Sequence, residues 1–166
     1  MVILGIDPGK DGAVALLSDS NNEVIDTPML SPGKGKRAYD EPEMLRYLTS
    51  YQAFAEGHGG LVAVLEQVHA MPGQGVTSMF SMGEGYGLWR GLFVGLGIPY
   101  QLVTPQAWKK LVLAGFGLKD KNASYQVASR LYPSMNLMGA RGGIKDGRSD
   151  AVCLAEWGRR TLNGAT

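Results

Sequence analysis

Apolar residues run almost without a break from position 2 to position 6 and end on Asp7, as expected of a strand buried on both faces. Pro8-Gly9 stops the run. Residues 12–17 read as a second strand and 23–27 as a third, joined by short turns that predict an antiparallel meander. Residues 29–40 are rich in Pro, Gly and Lys and read as a loop. Asp40 or Glu41 then opens a helix to about Phe54, with Pro42 in its first turn, and His58-Gly59-Gly60 breaks it. Residues 61–66 form a buried strand that ends on a carboxylate. A loop from His69 to Thr77 leads into a helix from about Ser78 to Leu96, and 99–103 is a short strand. Thr104-Pro105 caps a helix carrying Trp108, Lys109 and Lys110. Further helices are predicted over about 120–131 and from about Asp146 to Leu162. This order predicts an α/β domain: one five-stranded mixed sheet with helices on both faces. No repeat or internal boundary divides residues 1–166, which reads as a single domain.

Composition agrees with a globular chain, at 45% hydrophobic and 19% charged residues. Cys153 is the one cysteine, so no internal disulfide forms, and a free thiol suits a reducing cytosol. The apolar start is too short for a signal peptide, and no run reaches membrane-spanning length, so no membrane partner is expected. The net charge is only +1. The basic residues are nevertheless bunched, as Lys34, Lys36 and Arg37, then Lys109 and Lys110, then Lys119 and Lys121. Local bunching matters more for phosphate contact than the total does.

The acidic residues carry the sharper signal. Asp7 and Glu66 each close a buried strand, and Asp146 and Asp150 open the last helix. In α/β sheets, sites gather at the carboxyl edge of the strands. If the first and fourth strands are parallel neighbours, Asp7 and Glu66 stand about 5 Å apart. Adjacent ionised carboxylates repel and raise each other's pKa, so a stable core gains nothing from them. A pair of divalent cations relieves that repulsion, and oxygen donors suit Mg²⁺ or Mn²⁺. Two such ions about 4 Å apart activate water and stabilise the leaving oxygen of a phosphodiester. Each acid also has a plain structural use, in a turn, at a strand end or as a helix cap; the conjunction favours chemistry.

Taken in order, Gly5-Ile6-Asp7-Pro8-Gly9, the Gly-Ala strand after it, Leu65-Glu66-Gln67-Val68 and Asp146-Gly147-Arg148-Ser149-Asp150-Ala151 resemble the RuvC family of Holliday junction resolvases. The likeness is greatest to its phage-type and chloroplast-type branches and spans nearly the whole chain. It implies an RNase H-like fold, a homodimer, and one Mg²⁺- or Mn²⁺-binding acidic site per subunit. The two sites would nick opposite strands of four-way junction DNA symmetrically. It makes Asp7, Glu66 and Asp150 the metal ligands. The loop from His69 to Thr77, with Gln74 inside it, becomes the element that enters the junction centre. His69 stands where the bacterial enzymes carry an aromatic wedge. Lys109, Lys110 and Lys119 become candidates for the scissile phosphate and its neighbours. The family's additional acidic or histidine ligand lies three residues before the last aspartate, where this chain has Gly147. Asp146, four before Asp150, falls on the same helix face and is the candidate replacement. Spacing places Asp146, Asp150, Leu154 and Trp157 on one stripe, read as the face that packs on the sheet. Lys34, Lys36 and Arg37 are expected to contact junction arms through phosphates.

Three other readings compete. An actin-like ATPase or sugar kinase opens with a similar Gly-Ile-Asp-X-Gly, but needs two such domains. Another nuclease of the same fold would act on RNA, hybrids or flaps. A catalytically silent junction binder would gain nothing from a negative patch facing phosphate. Finally, Gly83, Gly87, Gly91 and Gly95 form a smooth helix stripe that is expected to meet either the subunit's own sheet or the twin helix of a dimer.

Overall fold

The computed structural model describes residues 1–70, 73–116, 120 and 122–162. A five-stranded sheet forms the centre, in the order β3-β2-β1-β6-β7. β1 (Val2–Asp7), β2 (Ala13–Leu17) and β3 (Asn22–Asp26) make the antiparallel meander, while β6 (Leu61–Glu66) and β7 (Tyr100–Val103) run parallel to β1. Helices α1 (Glu41–Glu56) and α2 (Val76–Leu96) cover one face, and α3 (Pro105–Val112), α4 (Ala123–Leu131) and α5 (Asp146–Leu162) cover the other.

Local chemistry sets the helix starts. The Asp40 carboxylate accepts the Glu43 N–H at 3.1 Å, and Thr104 Oγ1 accepts the Ala107 N–H at 3.3 Å, so two orphan donors are satisfied. Two starts differ from the sequence expectation. α2 begins at Val76, two residues early, and α4 begins at Ala123 rather than near 120. Asp120 lies before α4, where its carboxylate accepts the Asn122 N–H and the Gln126 side chain. The expected loop over 29–40 also holds a small ribbon, β4 (Met29–Leu30) with β5 (Ala38–Tyr39). Two-residue strands leave too short a periodic pattern to read from sequence.

Strand alternation divides the core. Val2, Leu4 and Ile6 face α1 and α2, where Met44, Leu48, Trp89 and Phe93 are buried; Ile3 faces α5. Gly5 shares the parity of Ile3, and the reason is contact. A Cβ there would stand 2.1 Å from the Ala151 carbonyl oxygen and 2.2 Å from the Ala155 nitrogen. α5 therefore lies with its backbone directly on β1. Its sheet-facing stripe is Gly147, Ala151, Ala155 and Gly158, which corrects the expected stripe of Asp146, Asp150, Leu154 and Trp157. Asp146 is exposed and Trp157 only half-buried, because the small residues one position round the helix allow the closest approach. Gly5→Ala is expected to cost about 3 kcal/mol or more, since the obstruction is backbone that cannot change rotamer. Urea denaturation reads this directly; an unshifted midpoint would mean that α5 can lift off β1.

The glycine stripe of α2 does not meet its own sheet. Gly85, Trp89 and Phe93 form the buried face, whereas Gly83, Gly87, Gly91 and Gly95 are exposed, and a Cβ on any of them would touch none of the described residues within 4 Å. Packing of that stripe against the subunit's own sheet is thereby excluded.

Candidate active site

Alternation also aims the carboxylates. Asp7 has the parity of Ile3 and Gly5, and Glu66 that of Val64, so both leave the sheet on the α5 face. The register Ile6↔Leu65 makes Asp7 and Glu66 the next row, at the carboxyl edge. α5, held close to β1 by Gly5, brings Asp150 to the same edge. Gly147 extends the fit: a Cβ there would stand 2.2 Å from the Asp11 carbonyl oxygen, so the start of α5 abuts the turn between β1 and β2.

The electrostatics are those of like charges taken out of water. Burial, then the Glu66 charge, push the Asp7 carboxyl up to about 7, with Asp150 and Asp11 adding to the rise and the Gly9 N–H, 3.3 Å from Oδ1, opposing it. Burial raises Glu66 as well, and so does Asp150; the Trp108 indole N–H, donating to Oε2 at 2.8 Å, and the Lys109 charge work against it. Asp150 is raised by burial and by Asp146, and held back by a hydrogen bond from Ser124 and by Lys109. Among the described residues no three Asp, Glu, His or Cys side chains are grouped closely enough to hold a metal ion together. The donor set itself fits a hard divalent cation: oxygen ligands, partly desolvated, with too little positive charge around them.

An open cleft of 890 Å³ runs over this edge and is lined by Asp7, Asp11, Asp146, Asp150, Lys10 and Arg37, among others. Asp146 thus faces the same space as Asp7 and Asp150, from the first residue of α5 rather than from a cap position. Of the lysines on α3, Lys109 reaches the site, with its ammonium 5.1 Å over the Trp108 ring and its charge felt by Glu66 and Asp150. Lys110 is exposed and perturbs neither. Lys119, with Lys121, lies outside the described residues.

The basic loop is divided in the same way. Lys34 and Lys36 are exposed at the ribbon's tip and do not line the cleft. Arg37 does, and it is tethered rather than free: its guanidinium holds Asp11 at 2.6 Å and donates to the Lys10 carbonyl. His69 and Gln74 line a smaller cavity with Met79, Met82 and Tyr86, and Met82 borders the main cleft as well.

Sequence reasoning missed several neighbours of the acids. Trp108 was legible as a helix residue but not as the donor to Glu66, since Trp108 and Glu66 are 42 positions apart. Tyr39 is buried and donates its hydroxyl to the carbonyl of Pro8 or of Ser81, each at 3.2 Å, which pins the turn after Asp7 to α2. Asp11 and Lys10 stand in a Gly-rich turn and gave no periodic signal.

No family model matches the sequence, and no curated protein does. Solved structures match the fold. Thermus thermophilus RuvC in complex with a Holliday junction substrate superposes with a TM-score of 0.59 at 15% identity, over 100% of this chain and 98% of that one. A second Thermus thermophilus RuvC structure gives 0.55 at 18% identity, over 98% and 97% of the two chains. The yeast mitochondrial Holliday junction resolvase Ydc2 gives 0.52 at 14% identity, over 93% and 76%. The chain therefore shares the RNase H-like fold of these resolvases, and its acidic cleft lies at the carboxyl edge of that fold's central strands.

Proposed function

We propose that residues 1–166 form one nuclease domain that cuts four-way DNA junctions by metal-dependent hydrolysis, acting as a homodimer. The observation that carries this reading is the aim of three acids from three separate elements, β1, β6 and α5, at one edge of the sheet. A fold shared with RuvC over the whole chain supports it. The structural uses available to a lone acid do not explain three whose carboxyls are each raised by burial and by a neighbouring acid's charge.

Asp7, Glu66 and Asp150 would hold Mg²⁺ or Mn²⁺, with Asp146 joining from the cleft rim. The bound ions would supply an activated water and charge stabilisation at the leaving oxygen. The remaining tasks fall to other residues. Trp108 fixes the rotamer of Glu66, and the Gly9 N–H orients Asp7. Lys109, whose charge acts on Glu66 and Asp150, would meet a phosphate that approaches them. Arg37, with Lys34 and Lys36 farther out on the ribbon, would hold the phosphates of an arm. His69 and Gln74 stand at the loop that would face the junction centre.

The test is a panel of mobile four-way junction, flap, linear duplex and RNA–DNA hybrid, incubated with Mg²⁺ and with excess EDTA. Symmetric nicks in the junction alone, lost in EDTA, are expected. Preference for the hybrid would move the protein to another nuclease class of the same fold, and cleavage that survives chelation would end the metal reading.

Dimerisation is supported by the outer face of α2. Val76 is 78% exposed, Phe80 76% and Val94 72%, and with Gly83, Gly87 and Gly91 they recur at three- and four-residue steps on one face. Gly83, Gly87, Gly91 and Gly95 cost about 1 kcal/mol each against alanine in a helix, and close approach of a second helix would offset that. Gly91→Leu, at a position where a Cβ would meet no atom of the described residues within 4 Å, should leave a folded monomer in sedimentation. A folded variant that stays fully dimeric would remove α2 from the interface.

A further inference from the structure

The cleft has a second wall that none of the assigned residues explains. Between α4 and α5 the chain forms a tight hairpin over residues 137–145. Met138 and Ile144 pair as an antiparallel bridge, the Lys145 N–H donates to the Leu137 carbonyl, and the Gly139 N–H donates to the Gly143 carbonyl at 2.7 Å. Leu137 is buried in the core layer under α5. The Arg148 guanidinium fastens the base: it donates to both Asp26 oxygens, at 2.6 and 3.0 Å, and to the Asn136 and Met138 carbonyls, at 2.9 and 3.0 Å. Four bonds from one side chain, anchored to the end of β3, make this hairpin a built element rather than a slack connection.

Its position is specific. Ile144 and Lys145 line the same cleft as Asp7, Asp146 and Asp150. The ribbon β4–β5, which brings Arg37 to that cleft, is rooted by Tyr39 in the core layer under α1 and α2. The hairpin is rooted by Leu137 in the opposite layer. Two arms from opposite faces of the sheet therefore meet over one row of carboxylates, each bringing basic residues. At the hairpin's tip Arg141 is exposed, and among the described residues it has no hydrogen-bond or ion-pair partner. It is followed by Gly142, at φ 80°, and Gly143, neither of which has any atom within 4 Å of where a Cβ would be. A bare backbone beside a free guanidinium lets a polyanion approach closely. Arg141 stands three positions before Ile144, so its Cα lies within about 11 Å of that cleft-lining residue's Cα.

We propose that the hairpin over 137–145 is a second DNA-holding arm, with Arg141 contacting a backbone phosphate of the strand that crosses the carboxylates, on the side opposite Arg37. This rests on the reading of the chain as a junction nuclease. Arg141 takes no part in the chemical step; it fixes the strand's path.

The experiment measures junction binding in EDTA across a salt series, for the wild-type chain, Arg141→Ala and Arg141→Lys. Loss of one phosphate contact makes the slope of log K against log salt shallower by about 0.9. Arg141→Ala should show that change, with binding weakened on the order of threefold to tenfold at moderate salt. Arg141→Lys should restore the slope, because the contact is one of charge. In Mg²⁺ with enzyme in excess, single-turnover cleavage by Arg141→Ala should stay within about threefold of wild type once the DNA is saturated. An unchanged slope in Arg141→Ala, or an Arg141→Lys slope equal to that of the alanine variant, would overturn the arm. So would a collapsed chemical step with unchanged binding. If the wild-type chain fails to bind the junction at all, the nuclease reading falls and the arm falls with it.

Discussion

Asp7→Asn is expected to lose junction cleavage by on the order of a thousandfold or more while making the metal-free protein more stable at pH 8. The two effects have one cause. Asp7 lies at the carboxyl edge with Glu66 beside it, and burial followed by that charge lifts its carboxyl to about 7. In the unfolded chain it titrates near the ordinary aspartate value of 3.8. Below that value both states hold the proton, and the group contributes nothing to the difference. Between 3.8 and about 7 the unfolded chain releases a proton that the folded one keeps, so rising pH costs stability. Above about 7 the cost is complete. Asparagine keeps the shape and removes the charge. The gain at pH 8 should therefore reach about 1–3 kcal/mol, or roughly 3–8 °C in melting temperature, and vanish toward pH 4. Melting curves at the two pH values in EDTA test the sign. A variant destabilised at pH 8 would mean that Asp7 holds the turn through Gly9 more than it repels Glu66.

Sites that sacrifice stability for function are expected to show this pattern. The same logic separates the acids of this chain by environment. Asp26 lies beside Arg148, whose guanidinium donates to both its oxygens and holds its carboxyl below the usual range. Glu156 is buried, yet three hydrogen-bonding partners, Arg159, Tyr132 and Arg160, hold it low as well. Those two are paid-up ion pairs of the scaffold. Asp7, Glu66 and Asp150 are the ones whose charge the protein leaves unbalanced.

Much of this was legible in the chain because it depended on short-range pattern. The buried runs gave the five main strands, and the meander followed from the short turns between the first three. Asp40, Thr104 and their neighbouring prolines gave two helix starts. The acids were visible because each ends or begins an element. What stayed hidden depended on packing between distant segments. Nothing local distinguishes Gly5 or Gly147 from a flexible glycine; their role appears only when α5 is laid against β1 and the following turn. The sheet-facing stripe of α5 lies one position round from the one that apolar spacing indicates, for a related reason. Apolar spacing points to leucine and tryptophan as the packing face, whereas the smallest residues make the contact. Trp108 and Tyr39 belong to the same class, since each acts on a partner tens of residues away. The hairpin over 137–145 offers no hydrophobic period at all, only a bridge, a buried leucine and an arginine reaching in from the next helix.

The second large effect concerns the start of α5, where two aspartates four apart are expected to fail unequally. Asp150 is the inner one. It is half-buried, held by Ser124, and close enough to Asp7 and Glu66 to raise the pKa of both. Asp150→Asn should abolish cleavage and leave junction binding within a few-fold of wild type, since the amide keeps the volume and removes only the charge. Asp146 is the outer one. It is the first residue of α5, exposed, and lines the cleft with Asp7 and Asp150. No backbone N–H among the described residues bonds its side chain, so it does not act as the cap of its own helix. Its charge reaches Asp150 and raises it, which is what a neighbouring ligand would do. An exposed ligand can be replaced in part by water, so its loss should appear mainly as weaker metal binding. Asp146→Asn is expected to lower cleavage by about 10- to 100-fold at limiting Mg²⁺ and to recover much of it as Mg²⁺ is raised. Asp150→Asn should not recover at any concentration. A Mg²⁺ titration of the two variants under single-turnover conditions separates these outcomes. Near-normal turnover of Asp146→Asn at low Mg²⁺ would take Asp146 out of the metal site, and recovery of Asp150→Asn at high Mg²⁺ would exchange the two roles.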